Sequence, residues 1–205
     1  YEISECLVGS EMCIRDSNRT NLEFYQEEVE RRCGICLSDP LIYEAFTYYD
    51  HEVLPYKNDD MINAKAMPGA HAALQAVQDA GLRCALFTNP SFPQGAIECR
   101  MGWGELTDAP FELVTHMGNA TRCKPDVTYY LEQLQVMGLE PHEVLMVGND
   151  PKRDFPSPAC GIQTAYVGQG KPGRATWRGT MEDFARDFNA VVEAFYEHQI
   201  ADELS

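Results

Sequence analysis

The sequence predicts an α/β fold, a parallel sheet with helices on both faces, and three observations predict it. Residues 83–87 (RCALF), 144–147 (VLMV) and 162–167 (IQTAYV) are short continuous apolar runs, as in strands buried on both sides. Between the first two lies a stretch with Val127, Leu131 and Leu134 at helical spacing. Gly81 and Gly138 stand where the helices preceding two of these runs should stop. Strands alternating with helices in this way give a Rossmann-like core.

Taken in order, the chain opens on YEISECLVGSEMCIRDS, which fits neither a helical nor a strand period. Residues 11–17 can be spelled GAG ATG TGT ATA AGA GAC AG plus one base, which resembles the transposon end used in short-read library preparation. Residues 1–16 are therefore read as an artefactual, adapter-encoded segment and set apart from the fold. On this reading the natural frame enters in mid-gene. Residues 17–64 carry Leu22, Tyr25 and Val29, then Ile42, Ala45 and Phe46, and predict a partial helical cap of two or more short helices with one oily face. Residues 65–205 form the core with its C-terminal helix. There Met67-Pro68-Gly69 opens a helix carrying Ala70, Leu74 and Val77. Residues 169–179 read as a loop. Thr180 and Asp183 have the spacing of a capping box, and Phe184, Phe188, Val191 and Phe195 line one face of a final helix.

Composition narrows the function. Among 205 residues, 32 Asp+Glu against 16 Lys+Arg give a formal charge of −16, an excess that repels a phosphate backbone and argues against nucleic acid. A small phosphorylated substrate remains compatible, because local cations and a metal can outweigh the global field. No run is long and apolar enough for a membrane span. Of 8 cysteines, Cys6 and Cys13 belong to the adapter reading, and Cys33, Cys36, Cys84, Cys99, Cys123 and Cys160 show no pairing pattern. Cys33-Gly34-Ile35-Cys36 lacks a second Cys/His pair and reads as two reduced cap cysteines, not a zinc half-site. A reducing, cytoplasmic location is the expectation.

In open parallel sheets ligands collect at the carboxyl ends of strands. Thr88-Asn89 follow the first run, and Gly148-Asn149-Asp150, with Asp154, follow the second; Cys123-Lys124-Pro125 stands at a helix start between them. A hydroxyl and an amide can hold phosphoryl oxygens, a lysine beside a helix N-terminus adds a point charge, and two carboxylates four residues apart suit Mg²⁺. Singly, each reads as a turn, a cap or a solvated charge. Their order, all at strand ends, is what makes them a phosphate-and-magnesium set. His116 and Arg122 read as surface residues, and Trp103 and Trp177 as core or cap contacts.

Here the chain resembles the haloacid dehalogenase-like (HAD) superfamily, chiefly phosphatases with an aspartate nucleophile. LFTNPSFP is similar to its second motif, RCKPDVTYY to its third and VLMVGNDPKRDFPSPACG to its fourth. The resemblance implies a Mg²⁺-dependent phosphomonoester hydrolase acting through an aspartyl-phosphate. It implies phosphate binding by Thr88, Asn89 and Lys124, catalytic roles for Lys124 and Asp150, and metal binding by Asp150 and Asp154. Many members have Gly-Asp where this chain has Gly148-Asn149, so either Asp150 or Asn149 supplies the first metal oxygen.

The family's first motif, a strand ending in Asp-x-Asp-x-Thr, does not occur in the sequence. The chain is therefore expected to be truncated at its N-terminus, to lack the nucleophile and to be inactive as it stands. The other reading is a non-catalytic module of the same fold that binds a phosphorylated ligand. In the family the missing strand lies centrally, between the strands ending at Thr88 and Val147. Either those strands close the gap, or residues 3–8 slip in as an accidental substitute.

Overall fold

The computed structural model describes residues 19–58, 63–170 and 174–203. In chain order its elements are α1 (Asn21–Cys33), α2 (Pro40–Tyr48), α3 (Ala70–Asp79), β1 (Cys84–Leu86), α4 (Gln94–Trp103), β2 (Phe111–Val114), α5 (Val127–Met137), β3 (Leu145–Gly148), β4 (Gln163–Val167), β5 (Trp177–Gly179), α6 (Met181–Arg186) and α7 (Phe188–Glu203). The fold is α/β, as expected. Among the described residues the strands form two sheets, β1-β2 and β3-β4-β5. No described strand joins them into one, and residues 3–8, the suggested substitute, lie outside the described residues.

The chain divides into two compact units. The first takes residues through Ala66 with Leu86–Ala109 and Leu113–Cys123; the second takes Met67–Ala85, Pro110–Glu112 and Lys124–Ser205.

In the first unit, α1 begins at a capping box absent from the sequence reading. The Thr20 hydroxyl accepts the Glu23 N–H at 3.2 Å, and the Glu23 carboxylate accepts the Thr20 N–H at 2.7 Å. Asn21, wholly buried, then ties the start of α1 to the loops around it: its Nδ2 donates to the carbonyls of Pro90 (3.3 Å) and Arg122 (3.1 Å). Helix α2 starts at Asp39, whose carboxylate accepts the Leu41 N–H at 2.9 Å, with Pro40 in the first turn. A π turn, Tyr49–Val53, and a 3₁₀ turn, Leu54–Lys57, follow. The oily face expected of α2 does not become a core. Leu41 is 76% exposed, and Tyr43, Phe46 and Tyr48 also face solvent. A nine-residue helix spelled PLIYEAFTY is apolar on nearly every side, and none of its residues is buried. Trp103 Nε1 donates to the Pro55 carbonyl in this unit, and Trp177, expected as a core contact, packs edge-on against Phe184 in the other.

In the second unit, β3, β4 and β5 run parallel, with Val147 opposite Ala165 and Ala165 opposite Trp177. Here the structure corrects the loop expected over residues 169–179, because Trp177–Gly179 completes the sheet as an edge strand. The core gathers Ala73 of α3, Ala165 and Val167 of β4, and Phe184, Phe188 and Val191 from the last two helices. Each buried phenylalanine contributes about 1.5–3 kcal/mol. The single final helix expected is two, α6 and α7, parted at Asp187, yet the predicted stripe of Phe184, Phe188, Val191 and Phe195 is buried throughout. Thr180 and Asp183 form the predicted capping box: the Asp183 carboxylate accepts the Thr180 N–H at 3.0 Å and the Thr180 hydroxyl accepts the Asp183 N–H at 3.1 Å. Those bonds, with Arg186 nearby, hold the Asp183 carboxyl down at about 2. Helix α5 ends at Gly138 as read, but it buries Tyr129, Tyr130, Gln133 and Leu134, and Leu131 is exposed.

Candidate functional site

The second unit holds the charged half of the expected set. Strand β3 ends at Gly148, and the chain then turns through residues 149–154 so that Asp154 folds back under the strand end. Its Oδ2 accepts the backbone N–H of Asn149 at 3.0 Å and of Asp150 at 2.9 Å. Its Oδ1 meets the Lys124 ammonium at 3.0 Å. Both partners of that pair are largely buried, with side chains 6% and 16% exposed for Lys124 and Asp154. Burial lowers the Lys124 pKa from the ordinary lysine value, and the Asp154 charge pulls it part of the way back. The turn has room for no side chain at Gly148: a Cβ there would lie 2.5 Å from Asp154 Cβ and 2.6 Å from its Oδ2.

Lys124, Asn149, Asp150 and Asp154 are thus brought together. Asp154, expected as a metal ligand, spends its carboxylate on Lys124 and two loop amides. Asp150 is the more open acid. Its Oδ1 accepts the N–H groups of Lys152 (3.0 Å) and Arg153 (3.3 Å), while Oδ2 has the Arg153 guanidinium at 3.9 Å, and the side chain is 47% exposed. The Asn149 residue is exposed beside it. Among the described residues no three His, Cys, Asp or Glu cluster as a closed metal site. Mg²⁺ does not require one, since it takes one or two carboxylates and keeps several waters. A hard, half-exposed Asp150 oxygen fits that demand.

Thr88 and Asn89 lie in the first unit, just past β1. Thr88 is locked to Thr115, a wholly buried residue at the end of β2. The Thr88 N–H donates to Thr115 Oγ1 at 2.8 Å, and the Thr88 hydroxyl donates to the Thr115 carbonyl at 2.7 Å. Both Thr88 donors are therefore committed inward, and the hydroxyl, expected to face a phosphoryl group, must rotate to serve one. Asn89 Oδ1 is buried and accepts no hydrogen bond among the described residues. Turned over, the same amide presents Nδ2, a donor that a phosphoryl oxygen can use.

Thr115 escaped the sequence reading. Its only signal was its place after a strand, 27 residues from its partner. Replacing it with valine should strand the Thr88 N–H in a buried place and lower stability by about 1–3 kcal/mol, whereas serine should retain most of it. Urea midpoints of the two variants decide; equal midpoints would mean that water replaces the hydroxyl. His116 is structural: its Nδ1 accepts the Gly118 N–H at 3.1 Å, and burial lowers its pKa, favouring the neutral ring.

Comparison with known proteins adds three findings. The family model described as haloacid dehalogenase-like hydrolase matches residues 23–160. A phosphoglycolate phosphatase of Rhodospirillum rubrum is 30% identical over 115 residues, 56% of this chain and 46% of that protein, so the chain spans about half the length of this curated relative. Among solved structures, a beta-phosphoglucomutase from Clostridium difficile superposes with a TM-score of 0.57 at 14% identity, over 88% of this chain and 79% of that one. A HAD phosphatase from Thermococcus onnurineus does so with a TM-score of 0.51 at 15% identity, over 84% and 94%. At such identities the structural likeness speaks to the fold.

Proposed function

Since this chain belongs to the haloacid dehalogenase-like hydrolase family, we propose that it carries the phosphate grip and the Mg²⁺-binding loop of a hydrolase for small phosphomonoesters. The observation that carries the reading is the Lys124–Asp154 pair at 3.0 Å, fixed beside a loop whose Asp150 carboxylate stands half exposed. Bound Mg²⁺ would supply a positive centre for the phosphoryl oxygens, with Asp150 as its protein oxygen and Asn149 as the neighbouring donor. Lys124 would neutralise phosphate charge. Its ammonium is oriented by Asp154, and burial reduces the solvent screening of its charge. Thr88 and Asn89 are assigned phosphate binding on their strand-end position and their donor chemistry.

Hydrolysis by the whole protein belongs to this proposal, as do the substrate and the partners. The 205 residues contain no Asp-x-Asp-x-Thr, so for the chain as it stands the proposal is binding of phosphate and metal without turnover. The same observation supports the second reading, a non-catalytic module that binds a phosphorylated ligand. Among the described residues no helix is long and apolar enough to cross a membrane. All six described cysteines are free, which fits a reducing, cytoplasmic setting.

Calorimetric titration with MgCl₂ and inorganic phosphate tests the grip. We expect saturable binding that Asp150→Asn weakens by about tenfold or more, in line with the loss of one charged ligand. Binding unaltered by that change would remove Asp150 from the site. Joining an upstream strand that ends in Asp-x-Asp should give phosphate release if the protein is an enzyme; a well-folded fusion that binds phosphate but never releases it from an ester would favour the binding module.

A further inference from the structure

We infer that Tyr130 is a positioning residue for the metal-binding loop, resting on the reading above: its hydroxyl clamps the main chain of Asp154, so that Asp150 is presented at a fixed place. Tyr130 lies in the first turns of α5, with no exposed surface, its ring edge-on to Tyr129 at 5.0 Å between centroids. Its hydroxyl is 2.7 Å from the Asp154 carbonyl and 3.1 Å from that of Arg153. A single O–H donates to one acceptor at a time, and the shorter contact is Asp154. Burial raises the phenol pKa far above the ordinary tyrosine value, so the hydroxyl keeps its proton.

What singles out Tyr130 is where it converges with Lys124. The two belong to one short stretch of chain and end on the same residue, Lys124 on the Asp154 side chain and Tyr130 on its carbonyl. A residue held at both ends can neither rotate its carboxylate nor swing its peptide. The Asn149 and Asp150 amides, which both point at Asp154 Oδ2, thereby have a stationary acceptor. The loop carrying the open Asp150 carboxylate is set by a hydroxyl that need touch neither phosphate nor metal.

Tyr130→Phe removes one oxygen and leaves the buried ring, so the fold is retained. In the full chain we expect hydrogen exchange at the Asn149 and Asp150 amides to rise about fivefold or more, with β4 amides unchanged, and Mg²⁺ affinity, titrated with the metal alone, to fall about fivefold, the loss of one neutral hydrogen bond. Exchange at both amides within twofold of the parent overturns the inference. So does faster exchange with unaltered Mg²⁺ affinity while Asp150→Asn abolishes binding, because the clamp would then not reach the site. If the parent chain binds no Mg²⁺, the metal reading fails instead, and amide exchange alone decides the role of Tyr130.

Discussion

Asp154→Ala should lower stability by about 3–5 kcal/mol, a large part of what a domain of this kind possesses. The reason is what the change leaves behind. Lys124, with a side chain only 6% exposed, would keep its charge without a counter-charge, and the Asn149 and Asp150 amides would lose their common acceptor. Asp154→Asn keeps an amide oxygen for one set of donors and should fall in between. Adding Lys124→Met to Asp154→Ala should recover part of the loss, since a buried pair replaced whole costs far less than one that is broken. Urea unfolding of the four proteins measures all of this. An Asp154→Ala midpoint within about 1 kcal/mol of the parent would show that Lys124 reaches water or another acid.

Gly69→Ala is the second large effect, expected at about 3 kcal/mol or more from two additive causes. Gly69 precedes α3 with φ +84°, a left-handed conformation in which a side chain is strained. A Cβ there would also lie 2.6 Å from the backbone N and Cα of Glu182, so the obstacle is main chain that cannot turn aside. The contact closes α3 onto α6, and Ala73 and Phe184 of those helices share the core of this unit. Thermal unfolding should therefore shift downward by many degrees. A small shift, comparable with Gly→Ala at an open surface position, would refute the close packing of α3 on α6.

How far these features could be read in advance depended on whether their cause was local. Strands β1, β3 and β4 announced themselves through apolar runs, although β1 and most of β3 are only partly buried, and the α6 cap did so through Thr180 and Asp183, because the pattern and its partner lie within a few residues. Strand β5 did not, since Trp177-Arg178-Gly179 has no apolar run and owes its conformation to pairing with β4. Helix α4, which starts directly after Pro93, was not announced, since Pro90 and Pro93 are residues of the kind that favour turns. The expected set at the strand ends was legible as residue types in order. Its wiring was not: Lys124 meets an aspartate 30 residues away, and nothing in either neighbourhood says that this acid will serve the lysine first. The exposed apolar face of α2 shows the reverse error, in which a helical pattern is real and yet the tertiary structure leaves it unburied.

Gly148 and Asp154 are tied to each other by volume. The volume a methyl group would need is already filled by the Asp154 side chain. Any single-base change in that codon that alters the amino acid adds at least one atom to a space with none to spare. In a saturating mutational scan the position should tolerate nothing unless residue 154 shrinks in the same molecule, so the strand terminus and the acid six residues beyond it can drift only as a pair.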